Sequence, residues 1–313
     1  MNNKIKDKII ITTGDPNGIG PEITIKALKA LDLPADKVLL ISNKKIINHY
    51  GTPDKNYGII EIPFDSSIQP GKNTKEAGDF VYLSLKKAAE VVLNFSPKAL
   101  VTAPVSKFAL YLAGHFYSGQ TEILQKFLSH DKQHAEMLFL ANDFRVLLLT
   151  RHCAVREIKF TKQDVINKVE LLQEFFVNKL NIPNPKFALC GFNPHAGEDG
   201  VLGTEEKEIL SPACMELISK GIDITPPQPA DTLFYNAAQA YLKPHKIPFD
   251  CYIAVYHDQG LIPIKTVAGL KTVNMTIGLD IIRTSPGHGT AFDIAGQNIA
   301  DESGMIEAIK AVL

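Results

Sequence analysis

Six short runs dense in apolar and β-branched residues alternate with longer stretches of helical spacing, and this alternation constrains the fold more than any other feature of the chain. The runs cover residues 8–12, 37–41, 99–102, 145–150, 186–190 and 251–255. Each is short and apolar enough to be a strand buried on both faces. Helical spacing is clearest over 75–93, 162–180, 204–219 and 231–241. Strand then helix, repeated, predicts an α/β fold with a largely parallel sheet. In such sheets a ligand lies beyond the carboxyl ends of the strands. The polar, glycine-rich segments of this chain directly follow the predicted strands, so one wall of a cleft can collect them.

Three of those segments carry a histidine just past a strand: His152, His195 and His257. Their separation in sequence matches no local zinc motif. If their strands are neighbours, three neutral imidazoles converge and can hold a divalent ion with positions left open for substrate oxygen. Otherwise they are three separate surface or hydrogen-bonded histidines. Thr121, Lys265, Asn274 and Arg283 form a second set, suited to an anion such as phosphate, because Arg offers a planar fork, Lys a point charge, and Thr and Asn neutral donors. Solvated surface charge is the commoner fate of Lys265 and Arg283.

Two further segments sit at predicted strand-to-helix turns. Thr13-Gly14-Asp15-Pro16-Asn17-Gly18-Ile19-Gly20-Pro21-Glu22 places Pro21 where a helix can begin and Glu22 near its positive end. It lacks the GxGxxG spacing, so a Rossmann pyrophosphate site is not indicated. Near the end, Gly287-His288-Gly289-Thr290-Ala291-Phe292-Asp293 joins small residues, which let a flat ring approach the backbone, to an aspartate at the mouth of a predicted helix. Asp293 either accepts from a ribose hydroxyl or starts that helix as an ordinary carboxylate.

At 313 residues and 45% hydrophobic side chains, the chain can build two cored domains, which excludes a disordered or fibrous protein. Its 33 basic and 34 acidic residues leave a formal net charge of -1, so no long-range field draws in nucleic acid or an anionic membrane. The four cysteines, Cys153, Cys190, Cys214 and Cys251, form no CxxC pair, as expected of a reducing compartment. With no long apolar run, the expectation is a cytoplasmic protein that engages no membrane. Residues 43–73 are rich in Pro and Gly and are assigned no chemistry.

Taken in order, the first motif, Thr102-Ala103-Pro104-Val105-Ser106-Lys107, Asn193-Pro194-His195-Ala196-Gly197-Glu198, Pro229-Ala230-Asp231-Thr232 and Tyr256-His257-Asp258-Gln259-Gly260 resemble the 4-hydroxythreonine-4-phosphate dehydrogenases of pyridoxal phosphate (vitamin B6) biosynthesis. The likeness runs over nearly the whole chain. The first motif and the His288-Gly289-Thr290-Ala291 loop are also similar to isocitrate and isopropylmalate dehydrogenases, which bind the adenosine of NAD without a Rossmann fold.

The resemblance implies two α/β/α domains flanking a cleft, isocitrate/isopropylmalate dehydrogenase-like and not Rossmann. A terminal domain of residues 1–125 plus 275–313 would carry the adenosine-binding loop, and a central domain of 126–274 the metal ligands and a homodimer interface at which the active site lies. It implies an oxidoreductase using NAD, with NADP as the alternative, and one divalent ion per site (Zn, Co or Mg) on His152, His195 and His257. Gln120, Thr121, Lys265, Asn274 and Arg283 would contact a small phosphorylated hydroxy amino acid. Asp231 and Asp258 would lie near the reacting centre as catalytic residues, and His288, Gly289, Thr290 and Asp293 would bind the cofactor.

One departure stands out: the family usually reads Gly-His-Thr-Glu where this chain reads Gly119-Gln120-Thr121-Glu122. An amide donates and accepts hydrogen bonds but does not titrate near neutrality. Gln120 therefore either only orients substrate, or the substrate is a phosphorylated threonate or erythronate. From another class, a phosphate acyltransferase of related fold is the rival, and a non-catalytic metal or phosphate sensor a third reading.

Overall fold

The computed structural model describes residues 5–128, 135–243 and 246–313. Its strands, in chain order, are β1 (Ile9–Thr12), β2 (Val38–Ser42), β3 (Gly58–Glu61), β4 (Ala99–Thr102), β5 (Glu136–Ala141), β6 (Phe144–Leu148), β7 (Lys186–Leu189), β8 (Asp223–Ile224), β9 (Cys251–Ala254), β10 (Val273–Ile277) and β11 (Arg283–Pro286). The helices are α1 (Gly20–Leu31), α2 (Lys44–Tyr50), α3 (Lys75–Phe95), α4 (Lys107–Leu112), α5 (Gln120–Leu128), α6 (Lys162–Asn178), α7 (Ser211–Ser219), α8 (Ala230–Leu242), α9 (His257–Ala268) and α10 (Ser303–Lys310). The chain divides into two compact units, one of residues 1–135 with 273–313 and one of residues 136–272.

In the first unit the strands run in the order β3-β2-β1-β4-β11-β10. All neighbours are parallel except β10, which is antiparallel to β11. Strand β1 is buried on both faces and pairs Ile10 with Leu39 on one side and Leu100 on the other, so its unbroken Ile-Ile-Ile run reflects a central position. Helix α3 is capped by Thr74, whose hydroxyl accepts from Ala77 N, and lays Phe80, Val81, Leu85 and Ala88 into the core with Ile10, Ile41 and Leu100.

The second unit has the order β5-β6-β9-β7-β8. Here β6, β9, β7 and β8 are mutually parallel and β5 returns antiparallel to β6. Helix α6 opens with a capping box in which Thr161 and Asp164 satisfy each other's backbone N–H. Helices α8 and α9 cover one face through Leu233, Phe234, Leu261 and Ile264, packed on Val146, Leu148, Tyr252 and Ala254.

All six sequence-predicted strands and all four predicted helices are present within a few residues of their expected bounds. The region 43–73 holds α2 and β3. Asp293 does not start a helix. Residues 292–298 are turns interrupted by positive φ at Gly296 and Asn298, and α10 begins only at Ser303. The predicted helix over 204–219 is split, with a wider π turn over Glu206–Leu210 leading into α7. All four cysteines are unpaired thiols. Among the described residues, no helix is long and apolar enough to cross a membrane.

Candidate functional site

The parallel strands β6, β9 and β7 are adjacent in the second unit, with Leu148 opposite Ala254 and Leu189 opposite Ile253. Their carboxyl ends therefore point the same way, and each leads into one of the three histidines. Pairing continues past the strands, since Thr150 N donates to Val255 O at 3.0 Å and Cys190 N to Ile253 O at 2.9 Å. Gln259 then ties two of the ends together: its Oε1 accepts from Val255 N and its Nε2 donates to Gly191 O, both at 2.7 Å. No periodicity in the sequence marks that role for Gln259.

His152 and His257 lie with ring centroids 5.4 Å apart and share a cavity with Arg151, Cys153, Tyr256 and Asp258. Asp258 Oδ1 sits 2.7 Å from His257 Nδ1. A carboxylate can only accept here, so Nδ1 carries the proton and Nε2 presents its lone pair, the usual arrangement behind a metal-ligating imidazole. His195 is not gathered in with them: its side chain is 68% exposed and its Nδ1 is 3.6 Å from Glu198. Among the described residues, no three His, Cys, Asp or Glu side chains converge on one point suited to a cation. The donor chemistry of His152 and His257 fits a divalent ion, and His195 occupies the next strand end.

The segment carrying His195 is unusual. His195, Ala196, Gly197, Glu198 and Asp199 all have positive φ, forming a left-handed turn. For residues other than Gly this conformation costs roughly 1–2 kcal/mol each, so the surroundings must hold it. Glu206, only 6% exposed, accepts from Asn193 N at 2.7 Å and from Asn193 Nδ2 at 3.0 Å. Glu205 accepts from the same amide at 2.7 Å, and that bond holds its carboxyl below the usual range. Nothing in the sequence distinguishes Glu205 and Glu206 from an ordinary acidic helix start. Asp231 is exposed at the head of α8, where its Oδ1 accepts from Thr232 N at 2.7 Å, and Lys265 is exposed on α9.

In the first unit, Arg283 is only 2% exposed and is surrounded by neutral hydroxyls. Its Nε and Nη2 donate to Thr102 Oγ1 at 3.0 and 2.6 Å, and its Nη1 to Thr276 Oγ1 at 3.1 Å and Thr121 Oγ1 at 3.4 Å. Burial pushes the guanidinium down to about 10, which still leaves it charged at neutral pH. Its hydrogen bonds run to hydroxyls and the carboxylate of Glu122 acts on it only through space, so a ligand anion would add direct compensation for a buried cation. Asn274 lies two residues from Thr276 on the same face of β10, and its Oδ1 is buried with no hydrogen-bond partner. Gln120, at the start of α5, donates from Nε2 to Ala103 O at 3.2 Å, while its Oε1 is buried and unpaired.

The first motif and the late glycine loop meet within this unit. Ile19 N donates to Thr290 O at 3.0 Å, and a Cβ on Gly18 would lie 3.0 Å from the Thr290 side chain. Glu22 is used structurally, accepting from Lys26 Nζ and from Ala300 N at 2.8 Å. Gly289 has open space where a Cβ would be, and Asp293 is exposed. Asp15 is fully buried; its Oδ1 accepts from Asn17 N at 2.8 Å and its Oδ2 has no partner.

Burial pushes the Asp15 carboxyl up to about 6. A native carboxyl that keeps its proton to higher pH than the unfolded chain stabilises the fold below about pH 4, and this is lost as pH rises toward 6. The loss is on the order of 3 kcal/mol. Asp15→Asn should therefore raise the denaturant midpoint above the parent's at pH 7.5 and show no advantage at pH 4. Equal midpoints at pH 7.5 would contradict this account.

The family model for the pyridoxal phosphate biosynthetic protein PdxA matches residues 9–312. The 4-hydroxythreonine-4-phosphate dehydrogenase of a Sulfurihydrogenibium strain is 37% identical over 98% of this chain and 97% of its own length. The D-threonate 4-phosphate dehydrogenase of Salmonella typhimurium is 36% identical over 97% and 98%. Among solved structures, the 4-hydroxythreonine-4-phosphate dehydrogenase of Klebsiella pneumoniae is 31% identical, covers 98% of each chain and superposes with a TM-score of 0.84. The fold is α/β, and a beta-decarboxylating dehydrogenase of Thermococcus kodakarensis, 14% identical, shares it with a TM-score of 0.52. A family match over residues 9–312 and likeness in sequence and fold over nearly the whole length of these relatives agree, and the chain belongs to the pyridoxal phosphate biosynthetic protein PdxA family.

Proposed function

We propose that this oxidoreductase catalyses NAD-dependent, metal-assisted oxidation of 4-phosphooxy-L-threonine to 2-amino-3-oxo-4-phosphooxybutanoate, which then decarboxylates to 3-amino-2-oxopropyl phosphate. The observation that carries the reading is the row of His152, His257 and His195 beyond three adjacent parallel strands. When bound, a divalent ion on these imidazoles supplies Lewis acidity toward the reacting hydroxyl, and a nicotinamide supplies the hydride acceptor. Asp258 fixes the His257 ring and its tautomer. Asp258 or Asp231 accepts the proton released on oxidation or anchors the substrate ammonium. Arg283, Thr121, Asn274 and Lys265 take the phosphate, and His288, Gly289, Thr290 and Asp293 take the cofactor's adenosine, with NADP as its alternative. The working enzyme is a cytoplasmic homodimer.

Oxidation of D-threonate 4-phosphate is the second reading, favoured by Gln120 and by the nearly equal identities of the two kinds of relative. The Ala103 carbonyl engages one amide hydrogen of Gln120, which leaves the side chain its unpaired Oε1 as an acceptor and one further N–H as a donor. Following NADH absorbance with phosphorylated 3-hydroxy acids, with and without an amino group and with and without chelator, tests both readings. Turnover of the amino substrate that stops with chelator is expected; turnover of threonate alone selects the second reading, and none with any substrate rejects both. Gln120→His should add a limb near pH 6–7 to the kcat/KM profile, since imidazole titrates there and the amide does not. Superimposable profiles would remove position 120 from the reacting site.

A further inference from the structure

We propose that Glu206 is a positioning residue that holds the left-handed turn over 195–199 and so sets where His195 stands; the inference rests on reading His195 as an ion-holding imidazole. Three observations converge on its carboxylate. Both oxygens are used on Asn193, one on the backbone N–H and one on the side-chain amide, which fixes the residue that enters the turn. The turn then wraps the carboxylate closely: a Cβ on Gly197 would lie 2.7 Å from Glu206 Oε2, and one on Gly191 would lie 2.8 Å from Ala196 Cα and 3.3 Å from Glu206 Oε1. Gly197 also has φ +80, so only glycine suits both the conformation and the approach.

The third observation is the π turn that begins at Glu206 itself. A π turn inserts an extra residue into a helix and re-aims the side chains at its start. Glu205 and Glu206 are thereby presented together to one amide, Asn193 Nδ2, which both accept from. Four residues other than glycine in left-handed conformation would relax without such a clamp. His195 is two residues beyond the clamped Asn193, and among the described residues its side chain has only a 3.6 Å approach to Glu198 to hold it. Its place beside the β9 strand end is thus inherited from Glu206.

The test uses the full-length parent, Glu206→Ala and Glu206→Gln, with His195→Ala as the reference for a lost imidazole. Amide hydrogen exchange reads the turn, cobalt(II) titration followed by visible absorption reads the imidazoles, and inorganic phosphate binding with thermal unfolding reads the rest of the protein. Glu206→Ala should exchange at least about 10-fold faster over 195–199 and bind cobalt about 10–100-fold more weakly, approaching His195→Ala, with phosphate affinity within about twofold of the parent. Glu206→Gln keeps an oxygen for Asn193 N but sets an amide against Asn193 Nδ2, so it should fall between; it carries the test if the alanine variant does not fold. Parent-like exchange and parent-like cobalt affinity in either folded variant overturn the proposal. If His195→Ala binds cobalt as tightly as the parent, the ion reading fails instead, and the exchange data alone decide whether Glu206 holds the turn.

Discussion

Replacing His257 with alanine should lower kcat by about 100-fold or more and weaken cobalt(II) binding by at least about 100-fold, with little change in thermal unfolding. The ring is part-exposed at the head of α9 and outside that helix's buried residues, so its loss removes chemistry more than packing. Asp258, which its Nδ1 meets, is itself largely exposed and can be resolvated. Asp258→Asn separates two roles of that carboxylate. An asparagine oxygen can still accept from His257 Nδ1, so cobalt affinity should fall less than about 10-fold. A proton-accepting role would be lost outright, and kcat would then fall further than affinity. The measurement is initial-rate NADH formation at saturating cobalt beside a binding titration. Full activity in His257→Ala would end the metal reading.

The row of histidines is legible in the sequence because each follows a strand whose apolar run is unmistakable, and strand ends are where α/β proteins place ligands. Strand neighbourhood is not legible, since β6, β9 and β7 are far apart in the chain and their pairing is set by packing. Edge and return strands escape for a related reason. β3 has only four positions, exposed at both ends and half-buried at Ile59 and Ile60, and β11, Arg-Thr-Ser-Pro, is buried but polar, because Arg283 donates to Thr102 and Thr276 on the neighbouring strands and Thr284 Oγ1 to Ala308 O. The left-handed turn at His195 escapes too. Asn-Pro-His-Ala-Gly-Glu looks like an ordinary loop, and what bends it is a carboxylate thirteen residues beyond Asn193. Arg283 inverts the usual expectation: an arginine is mostly a surface charge, yet here hydroxyls from β4, α5 and β10 line its burial.

That burial makes Arg283 the site of the other large expected effect. A guanidinium hydrogen-bonded to Thr102, Thr121 and Thr276, with Glu122 acting on it only through space, gains its direct counter-charge when an anion arrives. A hydrogen bond to a charged group contributes about 1.5–3 kcal/mol, so losing the fork should raise KM for the phosphorylated substrate by roughly 10–150-fold. Arg283→Lys is the informative change because it keeps the charge and most of the volume, while giving up the planar fork and the simultaneous reach to three hydroxyls. Its kcat at saturation should stay within about fivefold of the parent if phosphate binding is uniform between ground and transition states. It should fall as well if the phosphate positions the reacting carbon. For a substrate analogue without the phosphate, parent and Arg283→Lys should have the same KM, because the contact that distinguishes them is gone. A KM that rises equally for both compounds would mean that the substitution disturbs the fold, and an unchanged KM for the phosphorylated one would remove Arg283 from the anion site.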